Sequence, residues 1–212
     1  MFYWISKRFL FARLCWPNAW APFLVCVLWV YASGCASEQS DTALYYPIDS
    51  LLNAQITTLL KANASVRKVG LLNDEETKMK LTPRDSLSWA KELNVFFNLH
   101  AMNKPVNRGA YTVKEHEMDS KSNLLITSFT STREIPVEFL KVYYDGSLHK
   151  IRKIESRFTE SNLLYRSTRL LYMEFEEFDE KPVLTYYAVT GGQKIFLGDS
   201  LQYRINAAVS IP

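Results

Sequence analysis

Residues 137–144 (VEFLKVYY) carry apolar side chains on both faces of a strand. Val137, Phe139 and Tyr143 share one face, and Leu140, Val142 and Tyr144 the other. Neighbouring side chains in a strand point to opposite sides of its sheet, so a strand of this kind has no face fit for water. Segments 123–130 and 183–189 show the same two-sided pattern. Such strands must be covered twice. By contrast, Leu201, Tyr203 and Ile205 alternate with Gln202, Arg204 and Asn206, as in a strand wet on one side. A sheet containing both kinds is packed by helices on one face, and on the other either curls on itself or lines an apolar cavity.

From Tyr111 onward, β-branched and aromatic runs are cut by turn residues, which predicts strands at 111–118, 123–130, 137–144, 147–157, 163–175, 183–190 and 194–206. The turns are placed at Asp145-Gly146, Glu180-Lys181-Pro182 and Gly191-Gly192. Short links between consecutive strands imply an antiparallel meander. Ile151 and Ile154 break the alternation of the fourth run, which predicts a bulge there. Upstream, Ile48, Leu52, Ile56, Leu59 and Leu60 recur at helical steps and predict a helix over 48–62. Segments 66–72 and 76–81 read as a hairpin. A second helix is expected to begin at Thr82-Pro83-Arg84-Asp85, with Thr82 as its cap and Pro83 in its first position, and to end near Leu99 to Met102. Leu87, Trp89, Ala90, Leu93, Phe96 and Phe97 form its apolar stripe. The fold class is therefore α+β: two helices on a large curved antiparallel sheet, half-barrel-like in outline.

The beginning of the chain is of another kind. Lys7, Arg8 and Arg13 precede an apolar run from Trp20 to Tyr31, and no acidic residue occurs in the first 34. The run has the length of a signal-peptide core and is short for a membrane span. It closes on Tyr31-Ala32-Ser33-Gly34-Cys35-Ala36, three small residues directly before a cysteine. This resembles the lipobox of bacterial lipoproteins. The resemblance implies removal of residues 1–34, a diacylglyceryl group on the Cys35 sulfur, and acylation (palmitate) of the new amino terminus. The alternative is an uncleaved signal anchor with an incidental Cys35. Residues 35–43 (CASEQSDTA) read as a polar tether, and 44–212 as one globular domain. In lipoproteins an Asp directly after the cysteine retains the protein in the inner membrane. Ala36 stands there, so the resemblance implies the outer membrane.

The other cysteines, Cys15 and Cys26, lie in the leader, so the processed chain could form no internal disulfide. The net charge of +3 equals the three leader cations, and residues 35–212 are formally neutral. That balance lacks the basic footprint of nucleic-acid binding.

Chemistry-bearing motifs are absent: no nucleophile elbow, no His-Glu-x-x-His, no P-loop and no dinucleotide fingerprint. His100, His116 and His149 read as surface or capping residues. The acidic stretch 174–180 reads as a solvated hairpin end, and Lys150, Arg152, Lys153, Arg157, Arg166 and Arg169 as salt-paired surface. Asp41-Thr42-Ala43 matches an Asp-Thr-apolar pattern resembling a bacterial O-glycosylation signal, with Thr42 as acceptor. No cofactor and no metal is expected. The functional expectation is a non-catalytic envelope lipoprotein acting as an interaction or accessory subunit, with the membrane as one partner and an envelope protein as another. The alternative is a carrier or receptor for an acyl chain, because the architecture loosely resembles the half-open barrels of periplasmic lipoprotein carriers and receptors. Its cavity would be lined by Trp89, Leu140, Val142, Tyr144, Leu184 and Tyr186.

Overall fold

The computed structural model describes residues 44–73, 75–195, 198 and 200–212. Cys35, Thr42 and the whole leader lie outside the described residues. Helix α1 (Ile48–Lys61) is followed by the hairpin β1 (Ser65–Leu72) and β2 (Glu75–Leu81), then by α2 (Ser86–Glu92), α3 (Asn94–Phe97) and 3₁₀ turns over 98–107. Seven strands complete the chain: β3 (Tyr111–Met118), β4 (Leu125–Ser131), β5 (Val137–Tyr144), β6 (Ile151–Ser161), β7 (Tyr165–Phe178), β8 (Lys181–Ile195) and β9 (Ser200–Ser210). All nine form one antiparallel sheet in the order β2-β1-β9-β8-β7-β6-β5-β4-β3. It is not closed, since β2 and β3 are its two edges. The segment between them, which contains α2 and α3, crosses one face of the sheet from edge to edge.

The sequence expected two helices on a meander, and the architecture holds at that level, but the second helix is broken. Asp85, not Thr82, caps α2: its carboxylate accepts from the Ser88 amide at 2.7 Å and from the Ser88 hydroxyl at 3.0 Å. Those bonds hold the Asp85 carboxyl below the usual range. A carboxylate at the last non-helical position satisfies the free amides of the first turn, and Pro83 is left in the extended lead-in. Leu93 interrupts the helix before Asn94, Val95, Phe96 and Phe97, all weak helix formers. Leu87 stands 65% exposed, outside the stripe assigned to it.

The helices cover one face only, here called the inner face. Ile48, Leu52 and Leu59 of α1 and Trp89, Leu93, Phe96, Leu99 and Met102 of the crossing segment are all fully buried, packed with Val66, Leu140, Val142, Leu184 and Ala207 of the sheet. Gln55 locks α1 to β8. Its amide nitrogen donates to the Pro182 carbonyl and its oxygen accepts from the Leu184 amide, both at 2.8 Å.

Two predicted turns are corrected. Gly191-Gly192 lies inside β8, which continues to Ile195. A side chain at Gly191 would come within 2.7 Å of the Tyr203 hydroxyl and 2.9 Å of the Thr168 carbonyl, so this glycine serves close packing of three strands, not a reversal. The β7–β8 reversal is at Asp179-Glu180, one residue earlier than expected. Both residues have positive φ, as a two-residue primed turn requires. The bulge expected in the fourth run is present: Tyr143 pairs with Lys153 and Tyr144 with Ile151, which leaves Arg152 as the extra residue.

Candidate functional site

The six residues predicted to line a cavity divide between the two faces. Trp89, Leu140, Val142, Tyr144 and Leu184 are 0–1% exposed on the inner side. Tyr186 is on the other side. Leu184 and Tyr186 share a parity in the sequence, but the β7–β8 register shifts between them: Leu184 pairs with Phe175 and Tyr186 with Glu174. Thr185 is the extra residue, and it turns Tyr186 outward.

The outer face explains the two-sided strands. It is not a second core. Tyr143, Lys153, Glu155, Tyr172, Glu174 and Tyr186 form a ladder across β5, β6, β7 and β8. The Lys153 ammonium lies 3.8 Å from the centre of the Tyr143 ring and 3.1 Å from Glu155, whose carboxylate accepts from the Tyr143 hydroxyl at 2.8 Å. Tyr172 donates to Glu174 and packs edge-on against Tyr186, with 6.0 Å between ring centres; the Tyr186 hydroxyl donates to Asn206 at 3.0 Å. Tyrosines present an apolar body and a polar tip, and the lysine stem covers ring surface while its charge stays wet. A face of this composition counts as apolar in a strand pattern and yet meets solvent at Lys153, Glu155, Tyr172, Glu174 and Tyr186, with Tyr143 buried beneath the lysine. Burial and the neighbouring carboxylates push the Tyr143 and Tyr172 hydroxyls above the ordinary tyrosine range. Beside this ladder, Tyr172, Glu174, Glu176, Tyr186 and Ala208 line an open groove of about 890 Å³ that reaches Pro212.

The inner face contains one polar constellation that sequence reasoning missed. Glu92, at the end of α2, accepts from the Tyr187 hydroxyl and from Lys68 of β1, the latter at 2.8 Å. The Glu92 side chain is only 10% exposed. Burial first, and Glu92 second, drive the Tyr187 hydroxyl far above its usual range. The phenol and the ammonium both donate to one carboxylate, so the charge is neutralised and the proton positions are fixed. The triad ties the crossing segment to β1 and β8. The available signal was Glu92 itself, three residues after Trp89 and four before Phe96, a carboxylate on a stripe that faces the sheet. Nearby, the Trp89 indole N–H is the buried side-chain donor without a partner among the described residues.

Elsewhere the charged residues answer one another. His100 pairs with Asp49 of α1. His116 sits at φ 58° in an irregular step of β3, with its ring edge-on to Tyr144. Glu177 in the acidic hairpin accepts from Arg152 at 2.6 Å and lies 3.6 Å from Lys150. Arg157 meets Glu138 and Arg169 meets Glu160. Among the described residues, no three His, Cys, Asp or Glu side chains converge as a metal site, and no helix is long and apolar enough to cross a membrane.

The fold and these surfaces define an open antiparallel sheet with a packed inner face and an aromatic, charge-studded outer one. No family model and no curated protein matches the chain. Among solved structures, it is similar to the crystal structure of LolA superfamily protein NE2245 from Nitrosomonas europaea. The two are 10% identical, the match covers 74% of this chain and 94% of that one, and the TM-score is 0.27. A score of that size does not equate the two folds.

Proposed function

We propose that this protein is a non-catalytic lipoprotein of the bacterial cell envelope. Cys35 holds it to the membrane, and its domain serves as an interaction subunit. The observation that carries the reading is the filled inner face, where Ile48, Leu52 and Leu59 of α1 and Trp89, Leu93, Phe96, Leu99 and Met102 of the crossing segment meet the sheet at zero exposure. The surfaces left for a partner are therefore the outer ladder, the ends of the sheet, its two edge strands and the solvent side of the helices. The outer membrane is the site that Ala36 implies. Cys35→Ala should leave an unprocessed precursor or release the domain to the soluble fraction, read by intact mass and by membrane fractionation. A wild-type protein that keeps residues 1–34 and gains no acyl mass would overturn the anchor. Crosslinking in the intact envelope, followed by identification of what co-purifies, tests the interaction role.

A second reading, a carrier for an acyl chain, has one specific observation behind it. The cover over the inner face is cut into short pieces at Glu92, Phe97 and Asn103, and its central side chain, Trp89, holds an unpaired N–H. Displacing those pieces would open the apolar face to a ligand. Trp89 is the only tryptophan beyond the leader and reports on this directly. Saturable change of its emission with fatty acyl probes would replace the first reading with the second.

A further inference from the structure

Connections in a meander alternate between the two ends of the sheet. One end holds the loops at 119–124 and 145–150, the Asp179-Glu180 turn and the final residues 211–212. The other holds the loop at 132–136, the β6–β7 tip at 162–164, the β8–β9 connection and the β1–β2 turn. The β6–β7 tip is shaped by Asn162, whose side-chain oxygen accepts from the amides of Leu164 at 2.8 Å and Tyr165 at 2.9 Å. That arrangement holds two adjacent leucines outward, Leu163 at 94% and Leu164 at 73% exposure. Val106, whose carbonyl accepts from Arg133, and Ile195 stand exposed at the same end. Apolar side chains presented this way gain by leaving water.

Two independent observations say what they would enter. The first is where the domain begins. The Tyr45 ring lies 4.8 Å from Tyr111, and Tyr111 pairs with Ser131 at the end of β4. Residue 44 therefore leaves the domain at the leucine end. Residues 35–43 span at most about 30 Å even when fully extended, so a lipid on Cys35 keeps that end near the bilayer. The second is charge. Beside the leucines, Arg166 and Lys194 are cross-strand partners and both exposed, while Glu160 is paired with Arg169. The far end carries Glu174, Glu176, Glu177, Asp179 and Glu180, with Asp119 and Asp145 in the adjoining loops, against Lys121, Lys150, Arg152 and Lys181. The leucine end instead sets Glu75, Glu76, Glu134 and Glu160 against Lys78, Arg133, Arg166, Arg169 and Lys194. Lipid phosphates attract cations and repel carboxylates over the short range that screening allows.

We infer that the Leu163-Leu164 tip is a second membrane contact, entering the headgroup–acyl boundary beside the Cys35 lipid, with Arg166 and Lys194 at the phosphates. The domain then stands with its acidic end away from the membrane. This rests on the anchoring reading above. Interfacial insertion of a few apolar side chains next to a covalent lipid turns a tether into a fixed orientation.

The test uses the full chain, processed in cells, purified and reconstituted in vesicles of phosphatidylethanolamine and phosphatidylglycerol. Leu164→Cys supplies one free thiol for an environment-sensitive fluorophore, because processing removes Cys15 and Cys26 and acylates Cys35. Asp179→Cys places the same probe at the opposite end. The expected result is emission shifted to shorter wavelength and quenched by doxyl-labelled lipid at 164, with neither change at 179. Equal behaviour at the two positions, or no quenching at 164, overturns the inference. The intact mass of the same sample separates the two failures. An acylated protein with an unquenched probe loses the orientation alone, and a protein without acyl mass loses the anchor and the orientation together.

Discussion

The two faces of the sheet are built from similar residues and do different work. On the inner face Trp89, Phe96, Leu140 and Leu184 lose all contact with water. On the outer face Tyr143, Tyr172 and Tyr186 alternate with Lys153, Glu155 and Glu174, and each hydroxyl ends on a carboxylate or an amide oxygen. Both faces score as apolar in a strand pattern. What separates them is the polar tip. A tyrosine whose hydroxyl has a partner tolerates a wet surface, whereas a leucine or a tryptophan ring must find a neighbour.

The largest test of that contrast is truncation. Trp89→Ala should destabilise the domain by about 3–5 kcal/mol, measured by denaturant unfolding. Tyr186→Ala on the outer face should cost clearly less, and equal losses would mean that the faces are not distinct. Next comes the buried triad. Glu92→Ala leaves the Lys68 ammonium and the Tyr187 hydroxyl without their acceptor, for about 1–3 kcal/mol. The figure stays moderate because a quarter of the Lys68 side chain remains in water.

The same site sets a pH dependence. Tyr187, with Tyr46 and Tyr111, holds its proton far above the ordinary tyrosine range because burial disfavours the phenolate. An unfolded tyrosine ionises near ~10. The contribution is therefore complete below that value and is lost as pH rises above it, while the native hydroxyls stay protonated. Melting temperature should fall from pH 10 upward, and less steeply in Tyr187→Phe. The smallest effect belongs to the ladder. Lys153→Ala should cost about 1 kcal/mol, since a partly exposed ion pair and its contact with the Tyr143 ring are each weak, and the ionic part of the loss should shrink in high salt.

Periodicity and turn chemistry placed β3 and β5 to the residue, and α1 and the two hairpin strands to within one residue at one end, because each is a local property. Several of the misses share one cause, contact between residues far apart in the chain. Gly191 reads as a turn until Tyr203 and Thr168 are seen beside it. Thr82 is a sound cap in isolation, but the helix begins where its buried stripe starts, and that is set by what Trp89 packs against. Leu184 and Tyr186 share a parity that would set both on one face, and a single extra residue, Thr185, undoes it. The triad shows the same limit from the other side: Lys68 and Glu92 are unremarkable as single letters, and only the crossing of α2 over β1 joins them. The outer face was the least legible, since aromatic character alone does not tell a core from a ladder.

The pairing of β1 with β9 has a further consequence, one of timing. Val66 meets Val209, so the first strand cannot be seated until the last one exists. A chain threaded amino end first through a membrane would deliver α1 and the hairpin long before their partner arrives. Contacts this distant in sequence form slowly, and the apolar stripe of α1 has no sheet to cover while it waits. In a chain exported that way, folding would be held until translocation is complete, and during that delay the unfinished domain would be a client for any holding chaperone on the far side.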